Sequence, residues 1–152
     1  MKTTLVAAIG RGNRTIGKDG CIPWDIPEET QHFRNYIEGK TIVMGRKTFE
    51  NTGVFDDCIN IVVSRTLPDD VNPEVARNIE EALDIAEYCG TTELCVIGGE
   101  TLYRQFIDDA DEMVISLVDG NYDGDRHFPP IILDEWDVKS QTSNAWRTPP
   151  SR

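Results

Sequence analysis

The sequence is short of positive charge: 15 Lys and Arg stand against 27 Asp and Glu, a formal net charge of −12 over 152 residues. A field of that sign repels nucleic acid and anionic membrane, and no Lys/Arg run interrupts it, so neither is expected as a partner. Long apolar runs are also missing, and nothing approaches the ~20 residues that span a bilayer. The opening MKTTLVAAIG sets a lysine before an apolar stretch, as a signal peptide does, but the stretch stops at Ile9 and Arg11 and Arg14 follow. It reads as a first buried strand, and the expected location is the cytoplasm. Cys21, Cys58, Cys89 and Cys95 lack CxxC or Cys/His ligand spacing, which leaves free thiols in a reducing compartment; Cys95, in an apolar run, serves as a small hydrophobe. Neither His32 nor His127 has a nucleophile beside it, so no Ser/His/Asp or Cys/His arrangement is legible. Asp123, Asp125 and His127 read as an acidic, glycine-containing turn, and no metal is expected. EGKTIVMG contains GKT, but the glycine of a Walker loop is replaced by Arg34. The acid excess suits solubility or, since ten arginines outnumber five lysines, a high-salt setting.

What is present is alternation. TTLVAAI (3–9), TIVMG (41–45), INIVVS (59–64), LCVIGG (94–99) and MVISLV (113–118) are strand candidates, several apolar throughout, as strands buried on both faces are. NIEEALDIAEYCG (78–90) is a helix with Asn78 and Glu81 as a capping box and Gly90 to end it. GETLYRQFIDDA (99–110) is a second, with Leu102, Phe106 and Ile107 on one side. Such alternation predicts an α/β chain, a single domain over 1–152 with a mostly parallel central sheet flanked by helices. No linker, repeat or low-complexity segment divides it. Beyond about residue 136 the tail is short, and Pro149–Pro150 leaves room for one more strand at most.

A third helix, 27–38, carries Glu28 and Glu29 in its first turn. At about 100° per residue, Ile26, Phe33, Tyr36 and Ile37 share one face; Glu29 falls roughly 40° from its centre and Glu28 about 140° away. Glu28 therefore points to water and suits the positive end of the helix. Glu29 points at the core, where a carboxylate is costly unless paired or used. Either it enters a structural ion pair or it is placed for chemistry.

Three strand ends bear groups suited to an anion. Arg46, Lys47 and Thr48 follow one strand, with Thr48 expected to cap the next helix, Ser64 and Arg65 close another, and Gly98–Gly99 joins a strand to a helix. Each alone reads as a solvated strand end or a tight turn. Together, beyond the carboxyl ends of strands in an α/β sheet, they suit an anionic cofactor.

In order, AAI…TIGKDGCIPWDIPEE, TIVMGRKTFE, NIVVSR, CVIGGETLY and DGDRHFP resemble the dihydrofolate reductase family, over about residues 3–136. The resemblance implies a mixed, mostly parallel sheet flanked by helices. It also implies a reaction in which NADPH passes a hydride to a dihydrofolate pterin carbon and the adjacent nitrogen is protonated. It makes Glu29 the active-site acid, with Trp24 and Ser116 beside it as catalytic positions, and Val6, Ala8, Phe33 and Ser116 as substrate neighbours. Ala8, Ile16, Gly17, Arg46, Lys47, Thr48, Ser64, Arg65, Gly98, Gly99, Glu100, Thr101, Leu102 and Tyr103 become the cofactor side. Arg46, Ser64 and Arg65 would hold a 2′-phosphate, hence NADPH over NADH. GKDGCIPW (17–24) would close over the nicotinamide, Asp125 would brace that loop, and the Gly98–Gly99 peptide would be cis. A monomer acting on a small molecule is implied.

The chain departs from the family's pattern at one functional position. The family's arginine that precedes the NIV strand and binds the glutamyl carboxylate is missing: in FDDCINIVVSR its position falls on Cys58 or the immediate neighbour, with Asp56 and Asp57 beside it. The expectation is weakened folate affinity, a different carboxylate anchor, or a substrate without that tail. Two alternatives stay open: a same-fold reductase of another pterin or a riboflavin-pathway pyrimidine, and a cofactor-binding homologue without turnover.

Overall fold

β1 (Lys2–Gly10) and β2 (Thr15–Gly17) lead into α1 (Pro27–Ile37), β3 (Thr41–Gly45), α2 (Arg46–Thr52), β4 (Ile59–Val63) and β5 (Glu74–Ala76). α3 (Ile79–Tyr88), β6 (Glu93–Val96), α4 (Glu100–Phe106), β7 (Glu112–Val118) and β8 (Arg126–His127) complete the order. This computed structural model describes residues 1–17, 24, 26–69, 73–119, 122–132 and 135–138. Cys21, most of the 17–24 loop, and the tail from 139 with any terminal antiparallel strand lie outside them.

The six long-range strands form one sheet in the order β5-β4-β3-β6-β1-β7, and every pairing in it is parallel. Antiparallel pairing occurs among the described residues between β2 and β8, as a separate two-stranded ribbon. Alternation divides the sheet's faces. Leu5, Ala7, Ile9, Val43, Ile61, Leu94 and Val96 pack against Ala82 and Ala86 of α3 and Leu102 and Phe106 of α4. Val6, Ile42, Met44, Val62 and Cys95 pack on the other face with Phe33 and Ile37 of α1 and Phe49 of α2. Both faces being covered explains why these strands are apolar throughout. Cys95 is fully buried and free, while Cys58 and Cys89 are also unpaired thiols.

Local signals account for the helix ends. Pro27 starts α1, where its missing N–H is no loss, and Glu28 and Glu29 occupy the first turn. The Asn78 side chain accepts from the Glu81 N–H at 2.8 Å, and Gly90, at φ +74°, follows α3 in a conformation that favours glycine. α4 is shorter than expected, ending at Phe106, because Asp108 and Asp109 would set two negative charges at the negative end of the dipole. The strand before it also stops early, at Val96, since Gly98 turns away at φ +135° and the Gly98–Gly99 peptide is cis. β2, β5 and β8, of two or three residues each, were not expected at all.

The sheet end remote from these glycines is closed by Glu93. Its Oε2 accepts from Thr4 Oγ1 at 2.7 Å and from the Tyr36 hydroxyl at 2.8 Å, with Lys2 Nζ 3.7 Å away and Lys40 Nζ 4.0 Å from Oε1. Burial pushes the carboxyl's pKa up, but the two hydroxyls and two lysines outweigh it and hold it below the ordinary 4.5. A depressed carboxyl pKa contributes stability above the unfolded value and loses it as pH falls through the folded one. Glu93→Ala, which strands the buried Thr4 hydroxyl and the half-buried Tyr36 hydroxyl, is expected to lose about 2 kcal/mol at neutral pH in urea melts. The difference from the parent should shrink as pH drops below 4.5.

Candidate active site

Helical phase aims Glu29 inward, and the folded chain keeps it there: it is 5% exposed, whereas Glu28 is exposed. Burial raises its pKa above the ordinary 4.5, and no described cation or donor offsets that cost. The alternative of a structural ion pair therefore finds no partner among the described residues. A carboxylate placed this way is a group kept ready for a ligand's donors.

The strands beside it supply an apolar floor. Val6 and Ala8 alternate onto the α1 face of β1, and Ser116 of β7 lies directly opposite Ala8. Ser116 is buried, and Phe33, one helical turn beyond Glu29, packs over the same face. Trp24 packs with Ala8, Ile26 and Val118, its ring 5.0 Å from that of Tyr122. It is 8% exposed, and its buried indole Nε1–H has no hydrogen-bond partner. One buried carboxylate and one orphaned donor thus lie on the α1 side of the sheet among largely apolar residues, a combination that suits a flat heterocycle with edge donors and acceptors.

A second group of residues gathers along adjoining strand ends. β4, β3 and β6 are neighbours in the sheet, so Ser64–Arg65, Arg46–Lys47–Thr48 and Gly98–Gly99 come together at one edge. Backbone approaches backbone closely there: Gly45 N–H donates to Gly98 O at 2.9 Å. A Cβ on Gly98 would stand 3.2 Å from Thr48 Oγ1, so a side chain would fill the space where the turn passes α2. Arg46, Lys47 and Arg65 are exposed, giving a local positive rim on an acidic protein. Glycine backbone, a hydroxyl and three cations fit an extended phosphate-bearing cofactor.

Several side chains sit differently from expectation. Thr48 is not a cap, because α2 already starts at Arg46 with Gly45 preceding it; the hydroxyl faces Gly98 instead. Ser64 is buried, and its Oγ accepts from the N–H groups of Thr66 and Leu67, so it shapes the turn that presents Arg65. Leu102 and Tyr103 are each 4% exposed and belong to the core. The Tyr103 hydroxyl donates to Val6 O at 2.8 Å, which makes it a link between α4 and β1. Ile16 is half-buried against the main core, and Thr101 is exposed at the start of α4. Glu100 accepts from the His127 N–H at 2.7 Å, and that bond, with Arg104 3.3 Å away, holds its carboxyl below the usual range. Glu100 so fastens the β2–β8 ribbon to α4. Gly17, the last residue of β2, accepts from the Asp125 N–H at 3.0 Å, which ties Asp125 to the start of the 17–24 loop. Among the described residues no three His, Cys, Asp or Glu side chains are grouped to hold a metal, and no helix is long and apolar enough to cross a membrane.

Two residues escaped the reading of the sequence. Arg77 donates to Ser64 O at 3.0 Å and Leu67 O at 2.7 Å, fixing the turn after β4 from a distant position. Arg34 lies over the Phe55 ring, 5.1 Å from its centroid. The sequence marks it only as the residue standing where a Walker loop would need glycine.

The family model for dihydrofolate reductase matches residues 2–148. Among curated proteins, dihydrofolate reductase type 3 of Salmonella typhimurium is 37% identical over 144 residues, covering 90% of this chain and 83% of its own. Dihydrofolate reductase of Staphylococcus aureus is 35% identical over 128 residues, 84% of this chain and 78% of its own.

Proposed function

The chain belongs to the dihydrofolate reductase family, and from that membership we propose that it reduces 7,8-dihydrofolate to tetrahydrofolate with NADPH, using Glu29 as its acid. The observation that carries the assignment of Glu29 is its burial without a partner among the described residues, on the helix that covers the sheet face bearing Val6, Ala8 and Ser116. When bound, the cofactor supplies the hydride, so the protein's work is to position two rings and exclude water. Glu29 holds the pterin's amide and amino edge and keeps a proton available near the reacting nitrogen, its raised pKa favouring the protonated form. Trp24 and Phe33 exclude water, and the Trp24 Nε1–H is free to hold a polar atom at the same end of the cleft.

Arg46, Lys47, Arg65 and the Gly98–Gly99 turn would hold the cofactor's phosphates. Arg46 is paired with Glu50 at 3.0 Å, but both side chains are about half exposed, and such a pair is worth only about 0.2–1 kcal/mol. It yields readily to a phosphate. The double variant Arg46→Ala/Arg65→Ala is expected to raise the KM for NADPH about tenfold or more while leaving that for NADH little changed. Equal loss with both cofactors would remove the 2′-phosphate role.

The reading as a whole is tested by following oxidation of the reduced nicotinamide with and without dihydrofolate. Rapid substrate-dependent oxidation supports it. Turnover only with other pterins or with pyrimidines would move the assignment to a related reductase, and cofactor binding without turnover would make the chain a binding protein. Repeating the assay across salt concentrations tests whether screening the −12 net charge improves folding and activity.

A further inference from the structure

The β2–β8 ribbon stands apart from the main sheet, and one turn of α4 holds it in two places. Phe128, the residue after β8, is fully buried with its ring centroid 4.9 Å from that of Tyr103. Beside it, the His127 N–H donates to Glu100 Oε1 at 2.7 Å. An apolar contact is non-directional, whereas a hydrogen bond to a carboxylate is short and fixes an orientation. Phe128 therefore keeps the ribbon on the core, and Glu100 sets how it is seated.

What lies at each end of this tie gives it a use. Glu100 directly follows Gly98–Gly99, the turn that would hold the cofactor's phosphates. Across the ribbon His127 pairs with Thr15 and Arg126 with Gly17, and Gly17 opens the segment that leads to Trp24. Two parts of the chain distant in sequence are thus joined through one carboxylate. An acid beside a phosphate turn would ordinarily repel the ligand, but both oxygens of Glu100 are engaged. Oε1 is taken by His127, and Oε2 has Arg104 Nε and Nη2 each 3.3 Å away. The His127 bond, then Arg104, holds the carboxyl below the usual range, so it stays a charged acceptor.

We propose that Glu100 is a positioning residue for the cofactor's nicotinamide end: by holding β8 on α4 it sets where Gly17 stands relative to the Gly98–Gly99 turn. This rests on the cofactor reading above. A dinucleotide seated by its phosphates at the glycine turn meets the Gly17–Trp24 segment at its other end only if the two are held in register. A displacement of about 1 Å there is enough to cost catalysis far from the reacting atoms.

The test sets NADPH against 2′-phospho-ADP-ribose, the same molecule without its nicotinamide, in equilibrium binding. In Glu100→Ala the Kd for NADPH is expected to rise about tenfold while that for the fragment stays within about twofold. In the ligand-free protein, hydrogen exchange of the Asp125 amide, bonded to Gly17 O rather than to Glu100, should quicken about tenfold. Arg104→Ala, which leaves the His127 bond in place, should move neither readout by more than about twofold. Glu100→Gln keeps an acceptor for the His127 N–H and should stay within about threefold of the parent in both. A loss in Glu100→Gln as large as in Glu100→Ala would make the charge and not the tie the cause, and overturns the proposal. An equal loss of both ligands, or an unchanged exchange rate at Asp125, also overturns it while leaving the cofactor reading intact. A parent protein that binds neither ligand overturns both.

Discussion

Replacing Glu29 by glutamine is expected to cut turnover by about 10²- to 10⁴-fold and, at neutral pH, to raise the melting temperature. The two effects share one cause. The carboxyl is 5% exposed, its pKa is raised by burial, and no described residue compensates its charge. A carboxyl with a folded pKa above its unfolded 4.5 gives its stability below that value and loses it as pH climbs through the folded pKa. At neutral pH the fold therefore bears the cost of an ionisable group that only a ligand rewards. Glutamine has nearly the same shape and carries no charge, so it relieves the cost and removes the proton. Thermal melts of both proteins at acid and neutral pH check the first effect: the gap should open as pH rises. Substrate-dependent nicotinamide oxidation checks the second. A variant that keeps its turnover would take Glu29 out of the chemistry.

Gly124→Ala is expected to disable the enzyme from outside the cleft. A Cβ at this position would overlap Thr15 Cγ2 and come within 2.6 Å of Gly17 O. One clash involves backbone, so a rotamer change cannot relieve it. Gly17 O is also the acceptor for the Asp125 N–H, and the β2–β8 pairing begins at the next residue, Arg126. Overpacking here should cost about 1–3 kcal/mol and push β2 away from β8. Since Gly17 opens the segment that leads to Trp24, kcat/KM should fall by about tenfold or more. Thr15→Ser keeps the hydroxyl that meets Asn13 Oδ1 and Tyr122 O but deletes the methyl group. In the Gly124→Ala background it should restore only part of the stability, because Gly17 O remains. Full rescue would mean the backbone contact is immaterial.

The five long strands were legible because burial on both faces leaves an uninterrupted apolar run, and α3 because Asn78 and Gly90 mark its ends. The fate of Glu28 and Glu29 followed from helical phase, since an angle around an axis needs no tertiary information. β5, at Glu74–Ala76, is too short to show a period and pairs only because β4 offers a free edge. The order of strands is likewise set by packing between distant segments. The stacking of Arg34 on Phe55 could not be read because the ring comes from a loop twenty-one residues later. The family resemblance puts Leu102 and Tyr103 on the cofactor side, but the rotation of α4 turns both into the core.

The place of β1 within the sheet has a bearing on how the chain is made. β1, which is made before either of its partners, sits between β6 and β7, pairing Leu5 with Val96 and with Met113. During translation it must wait, with both edges open, until some ninety residues have followed for one neighbour and more than a hundred for the other. Local elements such as α1 and the β3–β4 pair can form meanwhile, but β1 joins the sheet only when β6 arrives and is covered on its other edge only by β7. A stalled or truncated chain ending before β7 would display TTLVAAI as an unpaired apolar edge, the kind of segment that chaperones cover and that aggregates otherwise.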